Sequence, residues 1–280
     1  MRLIADSGST KTHWVIISKD NKTQSLFSQG INPYFLETSS IIEIVSECFH
    51  EFKVEQITEV YFYGAGCALP DKCTLVQNAL SAVFKNAEIT TNSDLLASAH
   101  ALFGNKSGVA CILGTGSNAA VFEANNFTNK IQSVGYLLGD EGSGSYIGKQ
   151  ILQAYLRKEM PKELKYEFEV SYNLNVPDIL NSVYKEAFPN RYLAGFASFA
   201  SVFPQHEFIR SIIRKSFKDF IKYQLKTLKF ELGLDVGFVG SIAFYFQDIL
   251  MEELIKSDFN SVIIIKEPIH NLVEYHQYKL

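Results

Sequence analysis

Apolar and polar positions fall into two rhythms along the first part of the chain. Residues 2–5 are a short apolar run, Asp6-Ser7-Gly8-Ser9-Thr10-Lys11 is polar, and residues 12–18 return to β-branched and aromatic types. That order predicts a strand, a tight polar turn and a second strand. It recurs later: residues 109–113 read as a buried strand, Gly114-Thr115-Gly116-Ser117-Asn118 as a turn, and residues 119–123 as a new strand. The recurrence predicts a duplicated half-fold of α/β class.

Between the two turns, apolar spacing predicts helices over residues 41–52 and 69–84 and a strand over 57–63. Ser93-Asp94 before LLASAHALF supplies a capping hydroxyl and an acidic first turn, so a helix is expected to open at Asp94. After Gly139 the pattern becomes mainly helical, with segments 143–157, 176–187, 207–232 and 247–256. Short strands are expected at 236–239 and 262–266. A polar turn at residues 105–108 sets the expected division into domains 1–106 and 107–280, with room for the last helix to pack back on the first.

Composition narrows the possible partners. The chain has 280 residues, 47% hydrophobic and 20% charged, which suffices for two modest cores. A formal net charge of -4 gives no basic footprint for nucleic acid. No run reaches the roughly 18 apolar residues of a membrane span, and the start lacks a leader pattern, so a cytoplasmic protein without membrane partners is expected. Cys48, Cys67, Cys73 and Cys111 lack CxxC spacing, and His13, His50, His100, His206, His270 and His276 lack HxxxH spacing, so no local metal motif is written. The three Asn-x-Ser/Thr sequons, at Asn21, Asn105 and Asn126, fit chance occurrence.

The two polar turns are the candidate chemistry. Wrapping a polyphosphate needs backbone N–H groups turned inward, hence glycine where a side chain would clash and hydroxyls that add hydrogen bonds. Either turn alone is equally an ordinary hairpin. Neither is a GxxxxGK[ST] loop, and no GxGxxG opens a helix, which excludes the commonest nucleotide-binding loops.

The segments Asp6 to Thr12, Gly114 to Asn118 and Gly139-Asp140-Glu141-Gly142-Ser143 together resemble the N-acetylglucosamine kinase family. That family sits in the group that includes the benzoyl-CoA reductase ATPase subunits, within the actin-like ATPase and sugar kinase superfamily. The resemblance runs from Asp6 to about Ser241. It implies two actin-like (ribonuclease H-like) domains with a cleft between them, ATP and Mg²⁺ as cofactors, a small sugar as substrate and, as in related kinases, a possible homodimer.

Roles follow from the resemblance residue by residue. Asp94 takes the place of the base that accepts the sugar hydroxyl proton; alternatively it is a carboxylate that only stabilises its helix. Asp6 takes the metal-holding place, or merely caps the turn. Ser7, Gly8, Ser9, Thr10 and Lys11 in the first turn, with Gly114, Thr115, Gly116 and Ser117 in the second, are assigned to the phosphates; Lys11 is equally a solvated surface charge. Gly240 and Ser241 match an adenosine motif. Asn32, Asp94, Ser133, Val134, Gly135 and Asp140 are assigned to the sugar. The chain departs from the family at residues 133–135, where one glycine replaces a richer pattern, and at Asn271, where relatives tend to carry glycine.

These assignments imply phosphorylation of N-acetylglucosamine at its 6-position, with N-acetylmuramate, glucosamine or N-acetylmannosamine as alternatives. An energy-coupling ATPase of the 2-hydroxyacyl-CoA dehydratase activator type is a second class, and would need clustered thiolates for an iron–sulfur cluster. A sugar sensor without catalysis is a third, and the presence of Asp6, Asp94 and Asp140 argues against it.

Overall fold

The computed structural model describes residues 1–8, 10–231 and 233–277. Ser9, and Leu232 at the expected end of a helix, lie outside the described residues. The chain forms two compact units: residues 1–105 with the stretch from Glu267 on, and residues 106–266. The stretch from Glu267 on therefore counts with the first unit, although it follows the whole of the second in sequence.

In the first unit β1 (Arg2–Ser7) pairs antiparallel with β2 (Lys11–Ile17), and β2 with β3 (Thr23–Gln29). β4 (Glu59–Gly64) and β5 (Glu88–Ser93) run parallel to β1, giving the order β3-β2-β1-β4-β5. β1 and β2 are buried almost throughout, as central strands covered on both faces must be. The edge strand β3 alternates exposed and half-buried residues. Helices Thr38–Cys48 and Pro70–Val83 help close a core around Trp14, Phe49, Phe62 and Phe84. There Trp14 and Phe49 meet edge to face at 5.4 Å, as do Phe49 and Phe84 at 5.2 Å.

Helix Asp94–Phe103 packs with the last helix, Ile269–Gln277. The Tyr63 hydroxyl hydrogen bonds His100 Nδ1 at 3.1 Å and His276 Nε2 at 2.9 Å, and Asn271 donates to the Ala101 carbonyl at 2.9 Å.

The second unit repeats the topology. β6 (Gly108–Leu113), β7 (Ser117–Glu123) and β8 (Asn126–Lys130) form an antiparallel meander, and β9 (Val236–Val239) and β10 (Val262–Ile265) extend it in parallel, in the order β10-β9-β6-β7-β8. Seven helices between Gly135 and Tyr223 fill the gap between β8 and β9 among the described residues. Their core includes Phe168, with Phe196 at 5.7 Å and Phe199 at 5.2 Å.

Several elements differ from expectation. Asp6 and Ser7, expected in the first turn, are residues of β1, and Lys11 begins β2. The helix expected over 207–232 ends at Tyr223, where Gln224 leaves helical geometry (φ -111°, ψ -64°) before a short 3₁₀ turn, Leu225–Thr227. Strands β3, β5 and β8 and helices Lys162–Tyr172, Pro189–Gly195 and Ala197–Val202 were not anticipated. No helix among the described residues is long and apolar enough to cross a membrane.

Candidate active site

The three parallel strands of the first unit end level: Ser7 of β1 pairs with Gly64 of β4, and Gly64 with Ser93 of β5. The carboxyl edge of such strands is where open α/β sheets bind ligands. Asp6 lies one residue before that row and Asp94 one residue after it. Asp94 opens its helix, with the Ser93 hydroxyl accepting from Leu96 N–H at 3.3 Å and Asp94 Oδ1 accepting from Leu95 N–H at 2.9 Å. The helix N-terminus and the backbone bonds to the Asp94 carboxylate, that from Leu95 first, favour the charged form. Burial outweighs them and pushes the Asp94 carboxyl up to about 6. Asp6 rises to about 7 through burial, then repulsion from Asp94 and Glu267, with Lys11 opposing.

Around the first turn, Gly8 N–H donates to the Lys11 carbonyl at 3.0 Å. Gly8, Thr10 and Lys11 are exposed, whereas the buried Ser7 hydroxyl is turned inward, sharing a hydrogen bond with Thr12 Oγ1 at 2.7 Å and accepting from Ile31 N–H at 2.9 Å. Ser7 therefore has its hydroxyl engaged in the fold. Ser9 lies outside the described residues. Lys11 is paired with Glu267 at 2.9 Å. Next to it the His13 ring packs on Phe27 at 4.3 Å, and burial lowers its pKa.

Asn32 is buried just beyond the sheet edge. Its Oδ1 accepts from Tyr34 N–H at 3.0 Å, and its backbone carbonyl accepts from Phe35 and Leu36. Gly66, at φ +85°, lies against it, and a Cβ at that position would collide with Asn32 Oδ1.

In the second unit the turn after β6 is closed by Gly114 N–H to the Gly116 carbonyl at 3.0 Å. It is fixed from outside by Gly144 N–H to Gly114 O at 2.8 Å and Ser145 N–H to Thr115 O at 3.1 Å. Asp140, in the left-handed region at φ 56°, aims its carboxylate at this turn. Oδ1 accepts from Ser117 N–H at 3.3 Å, and Oδ2 lies so close to Gly116 that a Cβ there would stand a tight 3.0 Å away. Burial pushes Asp140 up to about 6, against the Ser117 hydrogen bond.

Ser117, Ser133, Val134, Asp140, Glu141 and Gln224 line part of one cavity of about 150 Å³. Gly135 begins the short helix Gly135–Leu138 beside it. Gly240, at φ 131°, sits where a Cβ would collide with the Leu113 carbonyl, so its glycine requirement is met by the chain's own backbone; Ser241 is exposed at the start of the following helix. Asn271 belongs to the first unit, where its side chain joins two helices.

Within the first unit, then, Asp94 and Lys11 are both brought into electrostatic reach of Asp6. Within the second, Ser117, Asp140, Ser133 and Val134 gather at one cavity, and Gly116 lies against Asp140. Glu267, which bonds Lys11 and repels Asp6, and Gln224, which lines the cavity, were not singled out from sequence. Glu267 follows β10 as a lone acid 256 positions from its partner, with no local pattern to mark it.

The first-unit acids also test the expected Mg²⁺. Among the described residues no three His, Cys, Asp or Glu side chains group as a metal cage. Mg²⁺ normally takes one or two carboxylates plus substrate phosphates, and a divalent cation would favour the ionised form of a carboxylate that otherwise feels the repulsion of Asp94 and Glu267. Asp6 fits that description.

A family model described as the BadF/BadG/BcrA/BcrD ATPase family matches residues 5–197. The chain belongs to this family. A candidate N-acetylglucosamine kinase from Porphyromonas gingivalis superposes with TM-score 0.92 at 35% identity, covering 100% of this chain and 99% of the other. A second candidate N-acetylglucosamine kinase, from Chromobacterium violaceum, superposes at 0.74 with 12% identity, covering 98% of each chain. Component A of the Acidaminococcus fermentans (R)-2-hydroxyglutaryl-CoA dehydratase superposes at 0.52 with 15% identity over 97% of this chain and 93% of the other. These last two share the fold, that of actin-like ATPases and sugar kinases. No curated protein matches the chain. Membership of this ATPase family makes the chain an enzyme of phosphoryl transfer from ATP.

Proposed function

We propose that the chain is a cytoplasmic kinase that transfers the γ-phosphoryl group of ATP to N-acetylglucosamine, giving the 6-phosphate. The observation that carries this reading is Asp94: a carboxyl at the end of β5, pushed up to about 6 by burial and coupled to Asp6. A general base works best with a pKa near the operating pH, and Asp94 is raised toward that range. It would take the proton of the attacking hydroxyl.

The exposed backbone of the first turn and the Gly114–Ser117 turn would bind phosphate oxygens, with Lys11 released from Glu267 to add positive charge. Asp140 and Asn32 would read sugar hydroxyls, and the cavity by Ser133 and Val134 would take part of the sugar. Mg²⁺, held by Asp6, would when bound offset phosphate charge.

An activator-type ATPase is not favoured. Cys67 and Cys111 are buried and burial raises both thiols, Cys67 to about 12, the opposite of what thiolate ligands need.

ADP release from Mg-ATP across a panel of hexoses and N-acetyl amino sugars, with the product's phosphate position read by NMR, tests the reading. N-acetylglucosamine-dependent turnover to the 6-phosphate is expected. ATP hydrolysis indifferent to every sugar would overturn it.

A further inference from the structure

Gln224 terminates helix Glu207–Tyr223 and is buried, 5% exposed. Its Nε2 donates to Ser117 Oγ at 2.8 Å and to Glu141 Oε2 at 3.0 Å. A carboxylate only accepts, so the amide nitrogen must face Glu141, and the oxygen is the atom left over. That oxygen is buried without a hydrogen-bond partner. An unmet buried acceptor is a cost that an apolar residue of equal volume would avoid, so packing alone does not explain a glutamine here.

The connections form a ring. Ser117 begins β7 directly after the Gly114–Gly116 turn, and its N–H donates to Asp140 Oδ1 at 3.3 Å. Asp140 is bonded in sequence to Glu141, and Gln224 returns from Glu141 to the Ser117 hydroxyl. Ser117 is thus held by its backbone to one acid and by its side chain, through Gln224, to the next. A lysine at 224 would add charge beside Asp140, and a glutamate would oppose Glu141; a carboxamide donates to both a hydroxyl and a carboxylate without either effect.

We infer that Gln224 is a positioning residue that fastens the Gly114–Ser117 turn to the Asp140–Glu141 segment, so that nucleotide bound at one is felt by sugar bound at the other. The inference rests on the kinase reading above, in which the turn binds phosphate and Asp140 binds sugar.

The test compares full-length wild type with Gln224→Met, which keeps length and removes the donor, and with Gln224→Glu. Sugar affinity is measured by calorimetry with and without a non-hydrolysable ATP analogue, alongside kcat and both KM values. Wild type should bind N-acetylglucosamine more tightly when the analogue is present. Gln224→Met should lose that gain, with KM for the sugar raised about tenfold, the scale of one lost hydrogen bond to a charged group.

In Gln224→Glu the introduced carboxyl faces Glu141, with Asp140 and Tyr223 around the same cavity and Lys149 acting electrostatically on Asp140. A carboxylate at 224 only accepts, so it loses the bond to Glu141 and repels it, and this variant should also lose the analogue effect and raise the sugar KM.

A Gln224→Met protein that melts earlier yet keeps its sugar KM and the analogue effect would make Gln224 purely structural. If that variant does not fold, a Gln224→Glu protein that keeps the wild-type sugar KM and the analogue effect overturns the inference. Wild type that binds both ligands without mutual effect overturns it while leaving the kinase reading standing. Wild type that binds no sugar removes the kinase reading, and the inference with it.

Discussion

At Asp94 the demands of stability and of the proposed chemistry oppose each other. The folded protein holds the Asp94 proton to about 6, against 3.8 for the free side chain. This contributes stability below about pH 3.8 that is lost as pH rises through about 6, because the buried carboxylate must then be charged. Asp94→Asn keeps an oxygen for Leu95 N–H and removes the charge. It should therefore stabilise the protein near pH 8 by up to about 3 kcal/mol, and by almost nothing near pH 4. Thermal melts of the two proteins across that range check the prediction. With Asp94 as the proposed base, its retention at a cost to stability is the trade-off expected of an active site.

Among the elements, those with a strong local period were legible and the others were not. β1, β2, β6 and β7 stood out because runs such as THWVIIS are β-branched, aromatic and buried. The edge strands β3 (TQSLFSQ) and β8 (NFTNK) carry mostly polar, exposed residues, and only pairing with a neighbour makes them strands. β5 (EITTNS) is held by pairing with β4 in the same way. The run after Tyr223 kept a helical rhythm, but Gln224 turns to bond Ser117 and Glu141, a tertiary contact that no local pattern announces.

For the candidate site, Asp6, Asp94 and Asp140 could be picked out because each flanks a motif contiguous in sequence. Glu267 and Gln224 could not, since each meets its partners only through the fold. Gly66 belongs to the same hidden class. Gly66→Ala would place a Cβ against the buried Asn32 side chain at a φ of +85°. A loss of about 1–3 kcal/mol is expected in denaturant melts, together with a raised sugar KM as Asn32 is displaced.

At the scale of the whole molecule, the first unit is assembled from two distant stretches of chain. Ile269, Leu272 and Val273 of the last helix are buried, and Arg2 donates to the His276 carbonyl at 2.6 Å. Ending the chain at Lys266 removes these contacts, worth about 1.5–3 kcal/mol per buried apolar side chain, a sum comparable with the entire stability of a small domain. Hydrogen exchange on such a chain should find residues 1–105 unprotected, while 106–266, which keep their own core, remain protected.

The two units divide the proposed chemistry: base and metal carboxylates in the first, the second phosphate turn and Asp140 in the second. The most direct test is turnover of Mg-ATP with N-acetylglucosamine by Asp94→Asn against wild type. Loss of the base should lower kcat by about 10²–10⁴-fold while ATP and sugar still bind. Turnover at the wild-type rate in Asp94→Asn would contradict the assignment of Asp94.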